Sequence, residues 1–391
     1  MKSTPAERRH LAREDPPAIE VSRTDGSTVI DADGKRYLDF TMGWCVGNLG
    51  WHNAALERKA AAFRGPDYVY PGYGYAPWGE LAELLVSLAP GKLAKCFRAT
   101  GGSEAVDLAM QAAMIHTGRP AFLSLEDSYH GNTLAVMSIA ASEYRDTIPN
   151  LLPHCHKIKP PLDDDALERI ERRLAKGDVA AFVMEPISIN LGVLIPDESF
   201  MKKLQRLCRR HGTLLVMDEV ATGFGRTGTI FASEQFAIEP DIMTVAKALS
   251  GGVSGIGAML ATREVAESME KEGNFYSTYG WHPRSTHVAI ATLRYITAHR
   301  TRLLRNVKRV SELLQLRLAT MAFDEGSTIH ARGLAIGVDV NDQEYAGRIK
   351  TRCQRKGLLI TKEGSTLLLL PALTIDEEDA VRGMDVLERC V

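Results

Sequence analysis

Long hydrophobic runs are absent from the sequence. Nothing in its 391 residues approaches the roughly 18 consecutive apolar residues that a membrane-spanning helix requires, and the apolar run Leu367–Leu370 ends at Pro371. An excess of positive charge is also absent, since 47 Lys and Arg residues stand against 49 Asp and Glu residues. We therefore expect no membrane span and no electrostatic attraction to nucleic acid.

Cysteine is scarce, and the six cysteines are scattered without a CxxC pair. This pattern is typical of reduced, mostly buried thiols in a cytoplasmic protein. The triplet His154-Cys155-His156 has too short a spacing for a metal site, so we expect no bound metal. The first 15 residues are polar and lack the apolar segment of an export signal. These features predict a cytoplasmic protein.

Helix-like and strand-like stretches alternate in the middle of the chain. Helical periodicity occurs over Leu81–Leu88, Glu104–His116 and Ser199–His211, and short apolar runs typical of buried strands occur at Val179–Met184, Thr213–Met217, Ile242–Val245 and Ile256–Leu260. Such alternation predicts an α/β fold with a mostly parallel central sheet covered by helices.

The two ends of the chain have a different pattern. Ser27–Phe40 contains an Asp33-Gly34 turn between two alternating runs, which predicts a β-hairpin. The last hundred residues mix a long helix, around Arg302–Ala322, with strand-like segments at Ala335–Val340 and Thr366–Leu370. We expect a large domain over residues 46–284 and a smaller α+β domain built from residues 1–45 and 285–391.

A glycine-rich turn precedes one of the predicted helices. Gly101, Gly102 and Ser103 stand directly before the stretch that begins at Glu104. Backbone N–H groups at a helix N-terminus bind phosphate well, and Ser103 can donate to a phosphate oxygen or cap the helix. On its own, this turn is also compatible with an ordinary helix cap.

Two further residues suit the same chemistry. Asp218 ends an apolar strand, where α/β sheets bind their ligands, although such an acid is also compatible with a solvated loop. Lys247 follows the next apolar strand and precedes a glycine-rich turn; a partly desolvated lysine is a nucleophilic amine, whereas many lysines simply lie at the surface. A phosphate cradle, a carboxylate and a lysine together indicate pyridoxal 5′-phosphate, whose protonated ring stabilises a carbanion at the substrate carbon.

A second glycine pattern, Gly223–Gly228, matches the G-x-G-x-x-G of dinucleotide-binding proteins. That fingerprint should follow a strand directly and open a helix. Here Ala221 and Thr222 intervene and no clean helix follows, so a dinucleotide-dependent oxidoreductase is a minor alternative.

Several ordered segments resemble the class III aminotransferases of fold type I, which depend on pyridoxal phosphate. The resemblance covers nearly the whole chain and rests on Asp33–Phe40, Gly101–Ala105, Tyr129–Thr133, Glu185-Pro186, Asp218–Gly228 and Ser277–Gly280. Lys247 also lies 29 residues after Asp218, as in that family.

The resemblance implies a role for each matching residue. Lys247 would hold the cofactor through an imine and move protons, and Asp218 would pair with the pyridine nitrogen. The remaining cofactor-binding residues would be Gly101, Gly102, Ser103, Tyr129, His130, Glu185, Val220, Ser277 and Thr278. Thr278 would reach the phosphate in the neighbouring subunit, which implies a homodimer with shared active sites. Trp44, Trp281 and Lys362 would border the substrate pocket, although the tryptophans are equally compatible with core packing.

The sequence departs from the family where many members bind a substrate carboxylate. Leu368 and Thr361 occupy the two positions at which branches of the family carry an arginine, and Asn190 replaces the acid that masks one of these arginines. We therefore expect an aminotransferase that moves an amino group from an ω-amine or amine donor to an oxo acid such as pyruvate, with poor use of glutamate. The alternatives are an amino-acid racemase or epimerase of the same family and a catalytically silent regulator that binds the cofactor.

Overall fold

The structure is a computed structural model and describes residues 7, 10–12, 19–273, 275–324 and 326–391. Its strands are β1 (Val21–Asp25), β2 (Thr28–Asp31), β3 (Arg36–Asp39), β4 (Leu93–Ala99), β5 (Ala121–Leu125), β6 (Cys155–Ile158), β7 (Val179–Met184), β8 (Leu214–Asp218), β9 (Ile242–Val245), β10 (Gly257–Thr262), β11 (Thr328–Arg332), β12 (Ala335–Asp339), β13 (Leu358–Leu359), β14 (Thr361–Glu363) and β15 (Thr366–Leu369). The main helices are α1 (Ala54–Ala61), α2 (Ala76–Leu88), α3 (Gly102–Thr117), α4 (Leu134–Ser138), α5 (Tyr144–Thr147), α6 (Asp164–Leu174), α7 (Glu198–His211), α8 (Arg263–Glu272), α9 (Pro283–Ala319), α10 (Gln343–Arg355) and α11 (Glu377–Glu388).

A seven-stranded sheet forms the centre of the molecule, in the order β4-β10-β9-β8-β7-β5-β6. The strands from β9 to β6 pair in parallel, and only β10 runs antiparallel to its neighbours β4 and β9. The predicted α/β fold with a mostly parallel sheet is therefore confirmed. Strands β7 and β9 have the predicted bounds, because each is a short, mainly apolar run that is buried on both faces.

Helices cover both faces of this sheet. On one face, α7 buries Phe200, Met201, Leu204 and Cys208, the spacing of a single helical stripe, in a core shared with α6 and β7. On the other face, α3 and α8 pack on a second core with β4 and β8. Because both faces of the central sheet are buried against apolar side chains, polar groups are concentrated at the ends of its strands.

The two chain ends meet in one small sheet, ordered β1-β2-β3-β13. The predicted hairpin is present as the antiparallel pair β2 and β3, and Leu38 of β3 pairs in parallel with Leu358 of β13. A second small sheet, ordered β11-β12-β15-β14, is joined to β3 where Leu370 N donates to Phe40 O at 2.6 Å. The division of the chain at residues 46 and 284 remains a prediction.

Helix α9 is longer than the sequence pattern indicated. It begins at Pro283 rather than near Arg302 and runs to Ala319. Its first half buries small and β-branched residues such as Ala289, Thr292 and Ile296, which carry a weaker helical periodicity than leucines. In the described part of the chain, no helix is long and apolar enough to cross a membrane.

Candidate active site

An open cleft of about 1360 Å³ lies at the carboxyl ends of the parallel strands. Loops that follow different parallel strands meet there because these strands all end at the same edge of the sheet. The predicted site residues that line it are Trp44, Gly101, Gly102, Ser103, Tyr129, His130, Glu185, Asp218, Val220 and Lys247. The structure thus brings together side chains from six separate stretches of sequence.

Asp218 is buried at the end of β8, and three donors hold its carboxylate. His130 Nδ1 lies 2.8 Å from Oδ2, while Thr244 Oγ1 and Val220 N donate to Oδ1 at 3.0 and 3.1 Å. Three contacts from three segments fix one orientation of the carboxylate. Sequence reasoning missed Thr244, because its side chain faces Asp218 only through the pairing of β8 with β9.

Lys247 begins a single tight helical turn, Lys247–Ser250, directly after β9. Its φ angle is +44°, a left-handed backbone that costs a non-glycine residue energy and is enriched at functional sites. The fully buried Glu185 lies close enough for the Lys247 charge to favour its ionisation. Burial and the negative charge of Asp218 outweigh that effect and hold the pKa of Glu185 well above its ordinary value.

Asn190 connects two of the predicted site residues. With its amide oriented to satisfy both neighbours, Nδ2 donates to Glu185 Oε1 and Oδ1 accepts from Tyr129 N at 2.7 Å. Asn190, which stands where the resemblance led us to expect a masking acid, therefore links Glu185 to the backbone of Tyr129. The exposed ring of Tyr129 borders the cleft and leaves one side open to a ligand.

The glycine-rich turn before α3 is shaped for a close approach of backbone. Gly101 is the N-cap residue and offers no side-chain cap to the first N–H groups of the 16-residue helix. A Cβ on Gly102 would lie 3.1 Å from Val220 Cγ1, and one on Gly131 only 2.4 Å from Ser103 Oγ. The turn thus exposes uncapped N–H groups at a helix N-terminus, where an anion binds favourably.

These groups fit pyridoxal 5′-phosphate. The uncapped end of α3 suits its phosphate, the fixed carboxylate of Asp218 suits its ring nitrogen, and the amine of Lys247 suits its carbonyl carbon. His130 Nε2 is buried and has no hydrogen-bond partner within the described chain.

Four predicted site residues do not line this cleft. The structure corrects the prediction that Trp281 borders the substrate pocket. Its side chain is 2% exposed in the core beneath α2 and α9, and its Nε1 donates to Gly257 O at 2.7 Å. Lys362 does not line the cleft either, and its Nζ donates to Gly364 O at 2.9 Å. Ser277 and Thr278 lie in a loop between α8 and α9 that does not border the cleft of its own chain.

The Gly223–Gly228 loop lacks the context of a dinucleotide site. It is a series of turns that opens no helix. Its Arg226 is fully buried, donating to the carbonyls of Leu334 and Pro371 and to Asn48 Oδ1. The loop is thus a packed connection between chain segments.

Among the residues that the structure covers, no group of three or more His, Cys, Asp or Glu side chains could hold a metal ion. The His154-Cys155-His156 triplet lies at β6, on the edge of the central sheet.

Known proteins are similar to this chain in both sequence and fold. The model of the family "Aminotransferase class-III" matches residues 10–391. An acetylornithine aminotransferase of Methanosarcina mazei is 34% identical over 95% of this chain and 91% of its own length. One from Haemophilus ducreyi is 33% identical, over 94% and 93%.

Among solved structures, an amine transaminase from an uncultivated Pseudomonas species, in a PLP-bound form, has a TM-score of 0.88 and 27% identity over 98% of both chains. A thermostable omega transaminase mutant from Pseudomonas jessenii has a TM-score of 0.91 and 25% identity, over 99% and 98%. The sequence match and the fold agree with the geometry of the cleft. This chain belongs to the class III aminotransferases and is a transaminase that depends on pyridoxal 5′-phosphate.

Proposed function

We propose that this enzyme moves an amino group from an ω-amine or amine donor to an oxo acid such as pyruvate. The observation that supports this choice is the lining of the cleft, which contains Lys247 but no other lysine and no arginine among the described residues. A bidentate arginine is the usual partner of a substrate carboxylate. Donors without a carboxylate therefore suit this lining better than glutamate does.

Each predicted residue has a task in this proposal. Pyridoxal phosphate, when bound, supplies a ring that withdraws electrons from the substrate carbon. The N–H groups at the start of α3, with Ser103, bind the phosphate, and Asp218 keeps a proton on the ring nitrogen. Lys247 Nζ holds the cofactor and takes the proton from the amine-bearing carbon of the donor. Tyr129 and Val220, which both line the cleft, would cover the two faces of the ring.

Glu185 lies behind this arrangement. Because its pKa is raised by burial and by Asp218, Glu185 is suited to remain protonated and to leave Asp218 as the charged acid of the pair. His130 supports Asp218 through the contact of its Nδ1 with Oδ2. Trp44 provides an apolar wall next to the core that contains Leu368.

The proposed enzyme is a cytoplasmic homodimer in which Ser277 and Thr278 serve the partner's site. Exposed aromatic rings on the same side of the molecule support the dimer: Tyr68 contacts Tyr279 edge-to-face at 6.0 Å, and both are substantially exposed. Sedimentation equilibrium of the holoenzyme should give twice the chain mass of 42.9 kDa. A monomer that retains full activity would contradict the shared site.

Replacing Lys247 tests the central assignment. The purified holoenzyme should show a visible absorption band and transaminate amines, and Lys247→Ala should lose both, since no other amine in the lining can take its place. Lys271→Ala is the matched control, because Lys271 is an exposed lysine on α8. A variant Lys247→Ala that keeps wild-type turnover would refute the proposal.

The choice of acceptor separates this function from that of a racemase. A panel of amines with pyruvate, 2-oxoglutarate and aldehydes should show turnover only in the presence of an acceptor, and glutamate should be a poor donor. Racemisation of an amino acid without any oxo acid would favour the racemase instead.

A further inference from the structure

The sheet that closes one side of the cleft contributes an acid next to the two positions at which we expected an arginine. In the pair β14 and β15, Thr361 stands opposite Leu368 and Glu363 stands opposite Thr366. Side chains two residues apart on a strand share one face. The two positions at which the family's arginines were expected therefore face one another, and Glu363 is the next residue along the same face.

Glu363 is the charged side chain that this sheet contributes to the cleft. It lines the cleft together with Thr366 and the turn at Gly364 and Ser365. Leu368 is fully buried in the core behind, against which Trp44 packs. A substrate extending from Lys247 to this wall would meet one carboxylate there, that of Glu363.

Within the described residues, Glu363 takes part in no ion pair shorter than 4.0 Å. The charges that act on it come from Lys362, whose Nζ is held by Gly364 O, and from the exposed Lys350 on α10. Burial raises the pKa of Glu363 by more than these two cations lower it.

The rest of the lining has the same sign. Apart from Glu185, which is suited to remain protonated, its acidic residues are Asp127, Glu143, Asp218 and Glu363, against Lys247 as the one lysine or arginine that lines the described cleft. The carboxylate of Asp218 already accepts hydrogen bonds from three donors, and the carboxyl group of Glu185 accepts one from the Asn190 amide. Glu363 on the β14–β15 wall is thus available to a ligand, and a cleft lined by acids attracts cations.

We propose that the donor is a diamine, one of whose amino groups reacts at Lys247 while the other, as an ammonium, is bound by Glu363. This inference rests on the proposed transaminase function and names its substrate class. The reacting carbon loses its amino group and two electrons and becomes an aldehyde, while the oxo acid gains both and becomes an amino acid. The distal ammonium is unchanged. A short acceptor such as pyruvate keeps its carboxylate beside the reacting carbon and need not reach Glu363.

The test compares donors of equal length with different distal groups. With the holoenzyme and pyruvate, we measure kcat/KM for 1,5-diaminopentane, pentylamine and 5-aminopentanoate. We expect the diamine to exceed pentylamine by about tenfold, which corresponds to about 1.4 kcal/mol, and 5-aminopentanoate to be the poorest of the three. The difference should lie mainly in KM, because the distal contact is made equally before and during the reaction.

Glu363→Gln should remove this preference. We expect it to lower kcat/KM for the diamine about tenfold and to leave pentylamine unchanged, so that pentylamine turnover also reports correct folding. Glu363→Asp should restore part of the preference. Glu344→Gln, an exposed glutamate in the first turn of α10 that does not line the cleft, is the matched control.

The possible results distinguish a failure of the diamine assignment from a failure of the proposed transaminase function. Equal kcat/KM for the diamine and pentylamine, or an equal loss for both in Glu363→Gln, overturns the diamine assignment and leaves the transaminase intact. A holoenzyme with no visible band and no turnover of any amine would refute the proposed function itself.

Discussion

At the scale of single residues, the candidate site depends on a few polar side chains whose partners come from other strands. Asp218 is held by His130 and Thr244, and Glu185 is held by Asn190. Buried polar groups of this kind are costly to leave unpaired, because desolvation is not repaid. Their contacts therefore contribute both to stability and to the position of the acids in the cleft.

Replacing Asn190 with Ala should lower the free energy of unfolding by about 1–3 kcal/mol, since the buried Glu185 loses a donor and Tyr129 N loses its acceptor. Urea denaturation of the variant and the wild type measures this difference. Gln343→Ala is the amide control: Gln343 is exposed at the rim of the cleft, and its loss should cost less than about 0.5 kcal/mol. Equal effects of the two substitutions would contradict the Asn190 contacts.

At the scale of elements, the loop after β8 connects parts of the chain that are distant in sequence. Arg226 Nη1 donates to Leu334 O at 3.0 Å and to Pro371 O at 2.6 Å, and Nη2 donates to Asn48 Oδ1 at 2.6 Å. Burial lowers the pKa of this guanidinium. The planar fork of arginine reaches all three acceptors at once, which a lysine cannot do.

Arg226→Met should therefore destabilise the protein by about 2–4 kcal/mol, because two buried carbonyls and the Asn48 amide lose their donor while the volume is kept. The midpoint of urea unfolding checks this loss. Arg206→Met, at an exposed position on α7, should change it little. If the Arg226 variant were as stable as the Arg206 variant, Arg226 would not tie these segments together.

At the scale of the whole molecule, buried thiols make stability depend on pH. Burial raises the pKa of Cys96 from 9.0 to about 12, and it also raises the pKa values of Cys208 and Cys353. Above pH 9, thiols of the unfolded chain lose protons that the native chain retains, so stability is full below pH 9 and falls as pH rises. Lys157 acts in the opposite direction from about pH 8, because burial lowers its pKa to about 8.

Cys96→Ala isolates one of these contributions. Between pH 9 and 10.5, the free energy of unfolding of the wild type should fall more steeply than that of the variant, and the difference in slope should approach about 1.4 kcal/mol per pH unit at the upper end. Urea denaturation at several pH values in this range measures both slopes, and the two curves should run parallel between pH 7 and 8. If the free energies of unfolding of the two proteins also changed in parallel above pH 9, the Cys96 thiol would have the same pKa in the native and the unfolded state.

Features carried by local sequence were predictable. The apolar runs gave the bounds of β7 and β9, the Asp33-Gly34 turn gave the hairpin, and the order of motifs indicated the family before any fold was known. The lysine, the strand-end acid and the glycine turn needed no structure to be chosen as candidates, because each depends on residue type and on the element next to it.

Contacts between distant segments were not predictable. Periodicity carries no strand direction, so it did not show β10 running antiparallel; nor did it show Trp281 in the core. Thr244 faces Asp218 only through strand pairing, and Glu363 faces the cleft only through the register of β14 with β15. The sequence by itself determined the α/β class and the chemical groups of the site. Only the tertiary structure decided which of those groups meet, because such contacts depend on strand register and packing between residues far apart in the chain.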